Sequence, residues 1–295
     1  MKIAIVVDSS SGLTKEQASQ KSWFFLPIQI DIDNQLFKDG IDITHENVFQ
    51  YIKKNSHVLT SATLLGEAIN LINDLESKYD KIIIYPISQK LSSQYQMLKM
   101  VFRENEKVYV IPSQKISLPI IMELATFEAK LNSNIKYEEA LKVFGNSENT
   151  IHLIPENGEA LVRGGRLTPA AASVANLLKI VPIIEFKDGE LVKYGKGRVF
   201  SKTIVKLAKD IYLKNPSNTF ILINGNNEHI MDIAYDILDN LQINEIFISS
   251  MPPTISIHAG KGAIALLNTP MSLAEFKIIE QYLTKVTKKE KNSDE

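Results

Sequence analysis

Residues 254–266 read Thr-Ile-Ser-Ile-His-Ala-Gly-Lys-Gly-Ala-Ile-Ala-Leu, with His258 closing a strand-like alternation, Gly260 and Gly262 just beyond it, and then an apolar run of helical character. Imidazole offers a hydrogen bond at each ring nitrogen and titrates near neutrality, so a histidine beside so permissive a backbone is a candidate ligand donor. A packed or surface histidine is the alternative reading. Hydroxyls gather at three other places: Asp8-Ser9-Ser10-Ser11, Thr60-Ser61, and Ser88 with Ser92-Ser93. Each lies where a strand of the first half should end, and in an open parallel sheet such ends face a crevice beside free helix N–H groups and a positive dipole end. That chemistry suits an anion. Ser and Thr are also the preferred helix N-caps, so any one cluster fits plain capping, whereas three on one sheet edge would make a site.

Arginines supply possible counter-charge. Arg163 and Arg166 bracket Gly164-Gly165, and Arg198 follows the glycine-rich Tyr194-Gly195-Lys196-Gly197. A guanidinium fork matches carboxylate or phosphate oxygens, while a turn with solvated arginines is the other reading of the same residues.

Other chemistries are disfavoured. The five histidines (His45, His57, His152, His229, His258) show no metal-ligand spacing, and the chain has no cysteine, so we expect no metal and no thiol chemistry. There is no phosphate-binding P-loop, no dinucleotide glycine fingerprint and no Gly-x-Ser-x-Gly elbow, so no cofactor is expected. A formal charge of −1 with no basic block outside the tail argues against nucleic acid. The opening apolar run is too short for a signal peptide and no run reaches the roughly 18 apolar residues of a membrane helix, so a cytoplasmic, soluble protein without stable membrane insertion is expected.

Elements that would position these residues follow from periodicity. At 295 residues and 44% hydrophobic, the chain is long enough for two domains. Strands are expected at 2–10, 26–33, 58–62, 81–88 and 107–113, and helices at 44–54, 64–79 and 92–105. That alternation predicts right-handed crossovers and a mostly parallel, Rossmann-like sheet in an N-terminal α/β domain over residues 1–150. Around 134–150 the pattern loosens into a short helix between Asn/Ser clusters. A strand at 150–156 follows, then a helix at 168–180 with Thr168 as N-cap and Pro169 at its first position. Two alternating runs around Asp188-Gly189 (181–197) signal an antiparallel hairpin and hence a mixed α/β domain over 151–295. Helices at 202–214, 228–241 and from about Ser272, strands at 219–225 and 245–250, and a solvated tail at 287–295 complete it.

Six segments resemble the DegV family in order and spacing: Val6–Thr14, "LTSATLLGEA", "YPISQKLSSQYQ", "LVRGGRLTPAAASVANLLKIVPIIEFKDGEL", "YGKGR" and "SIHAGKGAIAL". The resemblance spans nearly the whole chain, and residues 161–191 carry most of it. It implies two α/β domains with a long-chain fatty acid between them, and in some members a role as the non-catalytic, acyl-binding subunit of a bacterial fatty acid kinase whose partner phosphorylates the carboxylate. By this resemblance Thr60 and Ser92 match the hydroxyls on the carboxylate, with Ser61 and Ser93 beside them, and His258 the nearby histidine. Arg166 matches the arginine of the family's Gly-Gly-Arg, and Arg198 the basic residue tied to kinase docking or phosphoryl transfer. The chain departs from the family pattern at Gln89, at Lys90 and Ser93, where two glycines are lost, at Lys261, where proline is usual, and at 111–117, which lacks the common aspartate. The same residues admit a different class, an enzyme on a small phosphorylated or carboxylated metabolite with Arg166 as clamp and His258 as acid or base. A third class is a structural or regulatory module with an empty cleft.

Overall fold

The computed structural model describes residues 1–53, 55–146, 148–175 and 180–288. The first half runs β1 (Ile3–Asp8), α1 (Lys15–Gln20), β2 (Phe24–Leu26), β3 (Gln29–Ile32), β4 (Gln35–Lys38), α2 (Val48–Tyr51), β5 (Val58–Ser61), α3 (Leu65–Glu76), β6 (Lys81–Tyr85), α4 (Gln94–Val101), β7 (Val108–Val110), α5 (Leu118–Asn132) and α6 (Tyr137–Ala140). A parallel sheet of order β2-β1-β6-β7 forms, its central strands β1 and β6 rich in β-branched residues. Its central strands are buried on both faces: Val7 and Ile5 point to one apolar cluster, Ala4 and Val6 to another beneath α3 and α4.

Residues 29–61 form a separate antiparallel sheet of order β4-β3-β5, whose β3–β4 turn takes Asp33 and Asn34 at φ +52° and +67°. This corrects the expectation that Thr60-Ser61 ends a strand of the parallel sheet. Among the described residues β5 pairs with β3 alone, and is an edge strand.

The second half runs β8 (Thr150–Ile154), α7 (Glu159–Gly164), α8 (Pro169–Ala175), β9 (Val181–Lys187), β10 (Glu190–Gly197), α9 (Phe200–Tyr212), β11 (Thr219–Asn224), α10 (Ile230–Leu241), β12 (Glu245–Ser250), α11 (Pro253–Ala259), β13 (Ile264–Thr269), α12 (Leu273–Ile279) and β14 (Thr284–Thr287). One mixed sheet of order β10-β9-β8-β13-β11-β12-β14 results, with β11–β12 its one parallel pair. The hairpin turns at Asp188 and Gly189, φ +50° and +83°, the mirror-image turn that favours such a pair. α9 buries Ile204, Leu207, Ala208 and Ile211 against the sheet at helical spacing. The helix expected at 168–180 is described to Ala175, and residues 176–179 and 289–295 of the expected tail lie outside the described residues.

Residues 254–266 reverse the expectation. The alternating Thr254–Ile257 is helical in α11, which Pro253 opens at a position where a missing N–H costs nothing, and the following apolar run is β13. β13 lies between β8 and β11, buried on both faces, and such a run shows no alternation to distinguish it from a buried helix. α5 has the same character: buried almost all round, it gives no amphipathic stripe and was not foreseen. Its residues join β1 and β6 to β8 and β13 in one continuous apolar cluster across the two halves. No helix among the described residues is long and apolar enough to cross a membrane.

Candidate ligand-binding cavity

A cavity of about 370 Å³ opens where the two halves meet. The first half contributes Thr60, Ser61, Ser92 and Ser93, and the second Arg166 and His258. Ile28, Ile87, Leu91, Ile116, Leu191 and Ile255 supply an aliphatic lining. Neither Asp nor Glu lines it among the described residues. Its volume lies within the span of small-molecule sites, and the mixture of aliphatic walls with few convergent polar groups is what such sites have in common.

Local folding explains the placement. Thr60 on edge strand β5 faces His258 on the last turn of α11, and Thr60 Oγ1 lies 2.8 Å from His258 Nε2. Burial, and then the nearby Arg166 guanidinium, push His258 down to about 4, so the ring is neutral at pH 7 and carries one N–H. Gly164 is required by close approach: a Cβ there would meet His258 Nδ1 at 2.7 Å. The next residue, Gly165, turns the chain at φ +66° and separates the arginines. Arg166 folds back to donate to the Gly164 carbonyl and lines the cavity. Arg163 is exposed and lines a different cleft of about 470 Å³, of which His258 is a shared wall.

Ser92 and Ser93 precede α4, and the Ser92 hydroxyl accepts from Gln94 N at 3.2 Å. Gln94 is the residue that sequence reasoning missed. Fully buried, it accepts from Thr63 N at 2.9 Å and donates to Thr63 Oγ1 at 2.7 Å, which ties the Ser92-Ser93 turn to the segment carrying Thr60-Ser61. Its only sequence signal was proximity to the serine cluster, because a polar residue on a helix reads as solvated. Thr254, one turn before His258 on the same helix, also lines the cavity and was not foreseen.

Other expected residues lie elsewhere. Asp8, Ser9, Ser10 and Ser11 do not line the cavity; the run is buried, with Ser11 at a separate cleft of about 240 Å³, so it does not join the other hydroxyls in one site. Ser88 is buried and donates to Gly189 O at 2.8 Å, docking the β9–β10 turn. Lys90 lines the mouth with its ammonium 2.6 Å from Glu190 Oε1, and Lys261 lies outside, 3.1 Å from Glu228 Oε1. Arg198 is exposed and apart from the lining.

A sequence model of the family described as "Uncharacterised protein, DegV family" matches residues 2–270. The chain belongs to the DegV family. A DegV domain-containing protein of Mycoplasmopsis pulmonis is 45% identical over 272 residues, covering 90% of this chain and 94% of its own. Protein DegV of Bacillus subtilis is 24% identical over 276 residues, with 90% and 98% covered. Among solved structures, a fatty acid binding DegV family protein from Streptococcus agalactiae superposes with a TM-score of 0.79 at 21% identity, covering 92% of this chain and all of its own. DegV of Bacillus subtilis, described as a fatty acid binding protein, gives a TM-score of 0.78 at 22% identity over the same shares. The α/β architecture, with one parallel and one larger mixed sheet, is thus the DegV fold.

Proposed function

We propose that this DegV-family protein binds a long-chain fatty acid in the 370 Å³ cavity, between domains of residues 1–150 and 151–295, and presents its carboxylate to a separate kinase. Thr60 and Ser92, with Ser61 and Ser93 beside them, hold the carboxylate; His258 and Arg166 complete the polar end, and the six aliphatic residues take the chain. The observation that carries this reading is the meeting, in one cavity, of five Ser/Thr hydroxyls, a neutral imidazole and an arginine with a wall of six large aliphatic side chains. Fatty acid binding described for solved DegV structures supports it.

The division of labour follows from energetics. Each buried methylene contributes roughly 0.8 kcal/mol, so an apolar wall binds a long chain without many polar contacts. A carboxylate is costly to bury unless hydrogen-bonded, which the hydroxyls provide; with the His258 N–H on its oxygen, Thr60 keeps its own proton to donate. Phosphorylation is assigned to the partner, with Arg198 on the surface for docking or transfer. Native mass spectrometry of the purified protein, followed by denaturation and identification of what is released, tests the binding. Near-stoichiometric fatty acid is the expected result. A protein that emerges empty and takes up neither added oleate nor palmitate overturns it.

A further inference from the structure

Of the three hydroxyl clusters that stand out in the sequence, Asp8-Ser9-Ser10-Ser11 is the one without a place in the cavity, yet its polar atoms are bonded to the cavity's walls. Asp8 Oδ2 accepts from Ile87 N at 2.7 Å, and Ser9 Oγ accepts from Ile28 N at 3.0 Å. A second buried carboxylate, Asp39, follows β4 and accepts from both the amide of Thr254, at 3.2 Å, and its hydroxyl. Ser9 follows Asp8 directly in the chain, so Ile28 and Ile87 are held by neighbouring residues, and the charge of Asp8 is felt at Asp39. Ile28, Ile87 and Thr254 all line the cavity, and they come from three segments far apart in the chain.

We propose that Asp8 and Asp39 are positioning residues for the cavity: Asp8 holds Ile87 while its neighbour Ser9 holds Ile28, and Asp39 holds Thr254 and through it sets the helix that presents His258. Thr254 and His258 are four residues apart on α11, so they stand on one face a turn apart, and a shift at the anchored end moves the imidazole relative to Thr60. Both carboxylates resist ionisation where they lie. Burial pushes Asp8 up to about 6 and Asp39 up to about 7, the charge of Asp8 adding to the latter. The Oδ1 of Asp39 has no hydrogen-bond partner among the described residues, a further cost of the arrangement. Two costly carboxylates under a cavity floor contribute little that packed apolar side chains would not, unless directed hydrogen bonds to Ile87 and Thr254 are what the site needs.

The functional half of this inference rests on the fatty acid reading; the structural half does not. The test compares Asp39→Ala, Asp39→Asn and Thr254→Val with wild type by amide hydrogen exchange without ligand and by calorimetric titration with oleate. In Asp39→Ala, amides of α11 are expected to exchange about tenfold faster or more while β11 and β12 keep their protection, and the oleate Kd is expected to rise about tenfold or more. Asparagine keeps an acceptor for the Thr254 amide, so Asp39→Asn should restore most of both losses. Thr254→Val, which removes only the hydroxyl bond, should move α11 in the same direction and carries the test if Asp39→Ala does not fold. Unchanged α11 exchange in the variants that fold, or a uniform loss of protection that includes β11 and β12, overturns the positioning role. Failure of wild type to bind oleate overturns the fatty acid reading instead, and the exchange comparison still decides the bracket.

Discussion

His258 is confined from two sides, with Thr60 Oγ1 at its Nε2 and the bare backbone of Gly164 at its Nδ1. A ring so held, and neutral, works through its hydrogen bond to Thr60, which fixes the orientation of that hydroxyl. The hydroxyls divide the rest of the polar work, because Ser92 already accepts from Gln94 N while its proton is left to donate. Thr60→Ala and Ser92→Ala are each expected to weaken fatty acid binding by about tenfold or more, the scale of one lost hydrogen bond to a charged group, measured as oleate Kd. Arg198→Ala, outside the cavity, should leave that Kd unchanged and impair phosphoryl transfer when the kinase is supplied. Normal transfer by that variant would remove Arg198 from the mechanism. The residue types were legible from the sequence: all six expected cavity residues are there, while Ser88 and the Asp8 run are not. Nothing local separates a serine that faces a ligand from one that bonds a distant backbone N–H.

At the scale of elements, the site depends on turns tied together across the chain. Gln94 and Thr63 bond each other twice, and Thr63 Oγ1 also donates to Pro27 O at 2.9 Å, so the start of α4, the end of β5 and the approach to β3 form one unit. Replacing Gln94 by Leu leaves Thr63 N buried without an acceptor. We expect about 1–3 kcal/mol of destabilisation, read from the midpoint of denaturant unfolding. An unchanged midpoint would mean that the loop relaxes to water and that the tie is dispensable. On the opposite wall, the β9–β10 turn rests on Ser88 through Gly189 O and brings Leu191 to the lining. The exposed Lys90–Glu190 pair beside it adds little to stability in water.

For the whole molecule, buried ionisable groups of opposite habit set the response to pH. Asp8 and Asp39 are raised from 3.8 to about 6 and about 7, so their contribution to stability is fully present below pH 3.8 and is lost as pH rises through 6 to 7. His152 and His258 are lowered from 6.5 to about 4 by burial, so theirs is present above pH 6.5 and is lost as pH falls through 4. The two trends oppose each other between pH 4 and 7 and favour a broad optimum. Asp39→Asn removes one titration from the alkaline side, so its Tm should fall less than that of wild type between pH 5.5 and 8.5. Parallel falls in thermal melts would show that Asp39 is ionised at no such cost.

Local pattern by itself determined much of this protein: the β/α alternation of the first half, the Asp188-Gly189 hairpin, most helices of the second half, and the hydroxyls, arginine and histidine of the cavity, whose motifs also carried the family. These are readable because side-chain periodicity and turn chemistry act over a few residues. Tertiary structure alone decided that Thr254–Ile257 is helical and Ile264–Thr269 a strand, that β5 edges a sheet of its own, and that the Asp8 run faces inward. A run buried on every side has no period to read, and its state is set by its neighbours. β13 is a strand because β8 and β11 leave a place between them, and Asp39 meets Thr254 only when the chain has brought residues 215 positions apart together.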